Sequence, residues 1–401
     1  MSRSPAAPLA SLAALAVSLG LLGCPADGRK HLVKRARDEG VVIGAVLPLT
    51  GPRASYGVAV KSGIDLAVLE ANDSGGVLGK PVRVRYVDAR GNKDRAKKAA
   101  EDAIVQHGAK LLIGGVSSDS AMGIAAVAER AKTPMISPSA TARELTASGS
   151  YVFRICFTDP FQGTAMALHA RDSLKLKRIA VLRDVGSTYS VRLADAMTKT
   201  FEARGGEVVA SATFEARDED VRPMLQDLLA PDPEAIYIPG YEREVLRIVR
   251  TARALGFEGR FLGADGWDTE EVRRASDALE GARFTTHFAS DEPRATVTAF
   301  SERFVAKMNE APNALSALGY DAARVALLAI GRAGSDDRER IHEALRSGPA
   351  VDGVTGSLGF DDRGDVDGRA VVVELKSGQV RFVSSVSGQQ ATPSLGPGTA
   401  D

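Results

Sequence analysis

The chain has 401 residues, enough for two domains and well beyond one small core. Hydrophobic residues make up 44% and charged residues 25%, the profile of an ordinary soluble globular protein, and 51 Lys+Arg balance 51 Asp+Glu. That balance, with no basic stripe interleaved with aromatics, gives no footing for nucleic acid as the main partner.

The first element is an apolar run from Leu12 to Gly23, preceded by Arg3 and too short to span a bilayer as a mature helix. It reads as a secretory signal over residues 1–23. Leu21-Leu22-Gly23-Cys24 resembles the bacterial lipobox, so Cys24 is the expected lipidation site and first mature residue. Acyl chains there would tether an otherwise soluble protein. Residues 24–40 are mostly polar and basic and read as the tether itself. The second cysteine, Cys156, lies in an apolar run and reads as a buried small hydrophobe, with no internal disulfide expected.

From Val41 the pattern becomes regular. Apolar strands are expected at Val41 to Leu47, Val82 to Val87, Leu111 to Gly114, Pro134 to Ser137 and Tyr151 to Phe157. Helices are expected at Tyr56 to Ala71, Lys93 to His107 and about Ser118 to Ala131. The alternation starts afresh with strands from Arg178, Glu207, Ala235, Arg260 and Gly281, and helices from Tyr189, Val221 and Glu242. Such alternation means doubly wound parallel sheets. Three helices follow, from Ala295, Ser316 and Arg338, then short strands near Gly356, Val371 and Val380 that read as antiparallel. Residues 387–401 lack an apolar pattern and are expected to be disordered.

Two turns stand out as a candidate site. Gly114-Gly115-Val116-Ser117-Ser118 and Ser137-Pro138-Ser139-Ala140-Thr141 each follow a strand and are small and hydroxyl-rich. In a parallel sheet both fall on the carboxyl rim, where open α/β sheets bind small ligands. A helix starting near Ser118 would aim free N–H groups and its positive dipole end at an anion such as a carboxylate.

Other chemistry is missing. No Gly-x-Ser-x-Gly elbow exists, and the five His are scattered with no zinc helix. The Asp73 to Lys80 loop lacks the first Gly and the closing Ser/Thr of a phosphate loop. Arg363-Gly364-Asp365-Val366-Asp367-Gly368 mimics a calcium loop but puts Arg363 in the first ligand position, so it reads as a turn. No metal and no cofactor is expected. A hydrolase built on Ser118 with Asp119 lacks a His partner.

Leu49-Thr50-Gly51-Pro52 with Tyr56-Gly57, Gly114 to Ser118, Met135-Ile136-Ser137-Pro138-Ser139-Ala140-Thr141 and Gly263-Ala264-Asp265-Gly266 occur in the order seen in one family. Tyr237 to Tyr241 and Phe360 to Asp365 complete the likeness. From about Val41 to Val383 the chain resembles the periplasmic leucine/isoleucine/valine-binding proteins, the type I solute receptors of ABC importers. The resemblance implies an α/β, bilobed type I periplasmic-binding-protein fold, two doubly wound parallel sheets joined by a three-strand hinge. One lobe would be 41–158 with 288–352, the other 159–287 with 353–386.

The resemblance also implies roles. Hydroxyls and N–H groups at Ser118, Ser139 and Thr141 would hold the α-carboxylate of an amino acid. A backbone carbonyl near Ser139 and the acid Asp265 would hold its ammonium. Tyr56, Tyr189 and Tyr241 would close over the side chain, beside Val116 and Ser117, with Ala140 and Gly266 in the same turns. Many relatives carry a longer Glu where Asp265 stands, Asp119 adds a charge beside Ser118, and Trp267 adds bulk near the site. The implied protein is a monomeric periplasmic lipoprotein that touches the membrane only through its lipid and hands its ligand to ABC permease subunits. Pro25 after Cys24 points to the outer rather than the inner membrane. The alternative is a receptor of the same fold that senses an amide or other small solute and signals to a membrane partner.

Overall fold

A computed structural model of the chain describes residues 40–388. The expected signal, Cys24 and the tether lie outside the described residues, as does the tail from residue 389.

The first sheet contains β1 (Val41–Leu47), β2 (Val82–Asp88), β3 (Leu111–Gly114), β4 (Met135–Ser137) and β5 (Val152–Arg154). All are parallel, in the order β2-β1-β3-β4-β5. β3 is apolar or glycine throughout because helices cover both faces of a parallel sheet. Those connecting helices are α1 (Ala54–Asp73), α2 (Lys93–Val105) and α3 (Ser118–Arg130). The Asn92 side chain caps α2 by accepting from the N–H groups of Asp94 and Arg95.

The chain then crosses through α4 (Asp159–Leu168). The sequence pattern predicts no helix here and a preceding strand that reaches Phe157. The strand stops at Arg154 because the backbone beyond it turns toward the second lobe, and Pro160 sits in the first turn of α4, where its missing N–H costs nothing. The second sheet takes β6 (Arg178–Asp184), β7 (Glu207–Phe214), β8 (Ala235–Tyr237), β9 (Arg260–Gly263) and β10 (Arg283–Thr286), with α5 (Thr188–Ala203), α6 (Arg222–Leu229) and α7 (Glu242–Ala254) between them. Helices α8 (Ala295–Met308), α9 (Ala314–Ala333) and α10 (Arg338–Ser347) follow, then the short pair β11 (Val351–Asp352) and β12 (Ser357–Leu358). The hairpin β13 (Arg369–Lys376) and β14 (Gln379–Ser387) joins the second sheet antiparallel, giving the order β14-β13-β10-β9-β8-β6-β7. Ser377 and Gly378 both have positive φ, which suits a two-residue turn that follows the strand twist. Ser387, expected in the disordered tail, closes β14.

Among the described residues α9 alone has the length and apolarity of a membrane span, yet it is mostly buried within the protein. It lies against α1 so closely that a Cβ on Gly63 would meet the Ser316 carbonyl at 1.9 Å, and one on Gly319 the Val60 carbonyl at 2.2 Å. Only glycines permit that approach. It brings the start of α9, with Leu315, to the cleft.

Between the sheets the crossings are tied by buried polar groups. Arg154 donates to Asp365 at 2.5 and 2.9 Å, so the segment that mimics a calcium loop is a closed turn whose acid is already paired. Asp321 on α9 accepts from Val354 and Thr355 at 2.8–3.1 Å. Asp268 accepts from Thr286 and from the first N–H of α9. The result is two lobes on a three-strand hinge.

Candidate functional site

The first lobe offers two turns stitched into one wall. The Ser137 hydroxyl donates to the Gly115 carbonyl and accepts from the Ala140 N–H. Ser139 donates to the Val116 carbonyl at 3.0 Å, and Ser118 accepts from the Ala142 N–H at 3.3 Å. A hydroxyl has one proton to give. Ser139 has therefore spent its own on Val116, whereas Ser118 keeps its proton for the cavity. Thr141 Oγ1 is buried with no hydrogen-bond partner among the described residues. No side chain there caps the N-terminus of α3 either, which leaves its first N–H groups and dipole facing the same space.

Arg154 fixes this wall from behind. Its guanidinium is fully buried and also donates to the carbonyls of Ala140 and Ala142, at 3.3 and 2.7 Å. Those two carbonyls flank Thr141 and are held away from the cavity.

The second lobe contributes a turn and a collar of tyrosines. Tyr189, near the start of α5, donates to Asp265 at 2.8 Å and accepts from the Gly266 N–H at 3.0 Å. Burial pushes the Asp265 carboxyl up to about 6, with the hydrogen bond from Tyr189 pulling it back. Among the described residues no cation is paired with it. Tyr56, from the first lobe, donates to the Gly266 carbonyl at 2.6 Å and accepts from the Glu242 N–H at 3.0 Å. Tyr241 lies stacked on Tyr189 at 5.0 Å and edge-on to Tyr56 at 5.8 Å. Burial raises all three phenols, so they remain neutral. A Cβ on Gly266 would meet the Gly240 carbonyl at 2.6 Å, which reserves that position for glycine.

Together these groups enclose one cavity between the lobes. Tyr56, Val116, Ser118, Ser139 and Thr141 line it from the first lobe, and Tyr189, Tyr241, Asp265 and Gly266 from the second. Leu315, 6% exposed at the start of α9, completes it and was not anticipated. No helix-start signal near Ala314 pointed toward a cleft formed from the other end of the sequence. The enclosed volume is about 10 Å³, room for roughly one water. A solute of several heavy atoms therefore enters only as the lobes part.

Two expected site residues, Ser117 and Ala140, fall outside the cavity lining. Ser117 does not line the cavity, because its hydroxyl turns into the helix start and pairs with Ser120 at 2.9 Å. Ala140 does not line it either, since its carbonyl faces Arg154. Trp267 is fully buried, donates to the Ile238 carbonyl and lies beside Phe284 in the core of the second lobe. Asp119 lies outside the cavity lining and reaches Thr188 of the other lobe at 3.5 Å. Cys156 is buried, and burial pushes its thiol up, so it is inert.

Outside Tyr56 and Tyr241 the cleft widens into an open chamber of about 550 Å³. Its walls carry Arg53, Arg90, Arg217, Arg243 and Arg247 against Glu219, Glu242 and Glu244. The Arg53 guanidinium sits 4.1 Å from the Tyr241 ring centre, and Ser55 donates to Glu242 at 3.0 Å, so both lobes hold the mouth.

Two hinged α/β lobes over a small cavity with hydroxyl donors on one wall and a carboxylate on the other define a solute receptor. A family model described as a periplasmic binding protein matches residues 40–379, and the chain belongs to that family. It is 33% identical to the leucine-, isoleucine-, valine-, threonine-, and alanine-binding protein of Pseudomonas aeruginosa, over 80% of this chain and 85% of that one. Among solved structures it resembles a leucine binding protein, LivK, of Thermotoga maritima, with 38% identity and a TM-score of 0.82, covering 86% of this chain and 98% of that one. It also resembles LivJ of Streptococcus pneumoniae in complex with isoleucine, with 30% identity and a TM-score of 0.83, covering 87% and 100%. The last is described as the substrate binding protein of a branched-chain amino acid transporter, the other two as amino-acid-binding proteins, and the chain is a binding protein, not an enzyme.

Proposed function

We propose that the protein binds a branched-chain or related amino acid between its lobes and delivers it to the permease of an ABC importer. The observation that carries this reading is the pairing across one cavity of Ser118 and Thr141 with Asp265. A desolvated carboxylate needs several rigid donors, which the Ser118 hydroxyl, the Thr141 backbone N–H and the start of α3 would supply. A desolvated ammonium needs a counter-charge, and Asp265 is a buried acid with no cation paired to it among the described residues. Tyr56, Tyr189, Tyr241, Val116 and Leu315 would then enclose an aliphatic side chain of limited size. Ser139 would act by holding the Val116 backbone rather than by donating to the ligand.

In this reading the lobes are 41–158 with 288–352 and 159–287 with 353–386, and they separate and close about the three crossings. The mature protein would begin at lipidated Cys24 and stay anchored on the periplasmic side, at the outer membrane in view of Pro25. Titration calorimetry with leucine, isoleucine and valine tests the ligand, with at least one Kd of micromolar or tighter expected. Failure of all three would end the reading. Labelling with a fatty-acid analogue in cells, lost in Cys24→Ser, tests the anchor separately.

A further inference from the structure

Behind Thr141 the polar wall continues inward, away from the cavity. Asp159, the first residue of α4, is 0% exposed, and neither of its carboxylate oxygens has a hydrogen-bond partner among the described residues. Its N–H is fixed to the Thr141 carbonyl at 2.9 Å, which sets the two side chains next to each other. They approach without reaching hydrogen-bond geometry. Gln162 Oε1, one helical turn along α4, and the Tyr237 hydroxyl are buried and unpartnered in the same region. Buried polar atoms are nearly always satisfied, so a cluster left open beside a ligand cavity calls for an explanation.

The charges facing Asp159 decide which end of a ligand it serves. Asp265 and Glu144 repel its ionised form, while Arg154 favours it but is engaged with Asp365 and two carbonyls. Cys156, Tyr237 and Tyr241 also face it, and burial keeps each of them neutral. Burial, helped by Asp265, pushes the Asp159 carboxyl up to about 8, so it holds a proton at neutral pH. Asp265 and Asp159 thus share the acidic end of the site, with the Thr141 hydroxyl between Asp159 and the cavity.

We infer that Asp159 is a proton-linked positioning residue for the ligand's ammonium, acting through Thr141. This rests on the amino-acid reading above. An ammonium entering beside Asp265 draws Asp159 into its ionised form. The carboxylic O–H bond breaks, and the proton leaves to a buffer base. The Thr141 hydroxyl then donates to the Asp159 carboxylate, and its oxygen accepts from the ammonium. No bond to the ligand forms, and no electrons are transferred.

The test is calorimetry of L-leucine, isoleucine and valine at pH 7 in phosphate and in Tris, whose ionisation enthalpies differ. Release of roughly half to one proton per bound ligand is expected, falling toward zero at pH 9. Affinity should rise about fivefold from pH 7 to pH 8, where Asp265 is already ionised. Asp159→Asn should bind more weakly with no proton release and no such rise, while the ligand-free variant melts at a higher temperature because a buried acid has gone. An infrared difference spectrum of the unmutated protein gives an independent readout, with loss of a protonated-carboxyl band on ligand addition. Tight binding with no proton release and no such spectral loss overturns the inference and leaves the amino-acid reading intact. Absence of binding by all three amino acids overturns both.

Discussion

Two acids in this chain are held in opposite ways, and the contrast separates scaffold from site. Asp365 accepts from Arg154 and Thr146 at 2.5–2.9 Å, a closed set of partners linking residues more than two hundred positions apart. Asp265 has a phenol for company and no paired cation among the described residues. The first arrangement is finished without a ligand. In the proposed reading the second is completed by the ligand's ammonium, and Thr141 Oγ1, with no partner among the described residues, repeats that logic for a hydroxyl.

The contrast breaks first at Arg154. Arg154→Met strands Asp365 and frees the carbonyls of Ala140 and Ala142, so a loss of about 3–5 kcal/mol in folding stability is expected from a broken buried pair. Denaturant unfolding measures it, and an unchanged midpoint would mean that the pair does not hold the hinge and wall together. Asp265→Ala should do the reverse. Ligand binding falls by about 2–4 kcal/mol, while the ligand-free protein keeps or gains stability. The pH dependence has a matching sign. Because burial raises the folded carboxyl to about 6, its contribution to stability is present in acid and lost as pH rises through 6. Binding runs the other way, weakening as pH falls below 6 and the counter-charge is neutralised.

Much of the fold could be read from local pattern. β1 and β3 are short apolar runs set off by turn residues, and Tyr56 and Tyr189 lead corresponding helices of the two lobes. What local pattern could not show is chemistry assembled across the chain. The 211-residue separation of Arg154 and Asp365 leaves no trace in either segment. Leu315 reaches the cavity only because Gly63 and Gly319 let two helices touch. Helix α4 carried a usable signal, Thr158-Asp159-Pro160 after an apolar strand, but the strand's apolar run to Phe157 masked it. Ser117 and Ser118 are identical residues side by side, and only the helix start decides that one turns inward to Ser120 and the other faces the cavity.

A smaller effect separates the walls themselves. Thr141→Val keeps shape and removes a hydroxyl that has no partner among the described residues. Binding should weaken by about 1–2 kcal/mol, while the ligand-free protein loses nothing or gains slightly. A matching loss of stability would show that Thr141 belongs with the scaffold instead.

The smallest expected effect lies at the seam between the lobes, in Tyr56→Phe. Its hydroxyl joins the lobes by donating to the Gly266 carbonyl and accepting from the Glu242 N–H. Both backbone groups can turn to water once the lobes part, so losing the hydroxyl penalises the closed form alone, by about 0.5–1.5 kcal/mol. The ring stays in place against Tyr241, which preserves the apolar contact. Affinity should therefore fall about two- to tenfold, almost wholly through faster dissociation, because the open form that first meets the ligand is unchanged. Stopped-flow fluorescence resolves the two rates. A slower association with unchanged dissociation would place the Tyr56 hydroxyl in the open, ligand-capturing form rather than in the latch that holds the lobes shut.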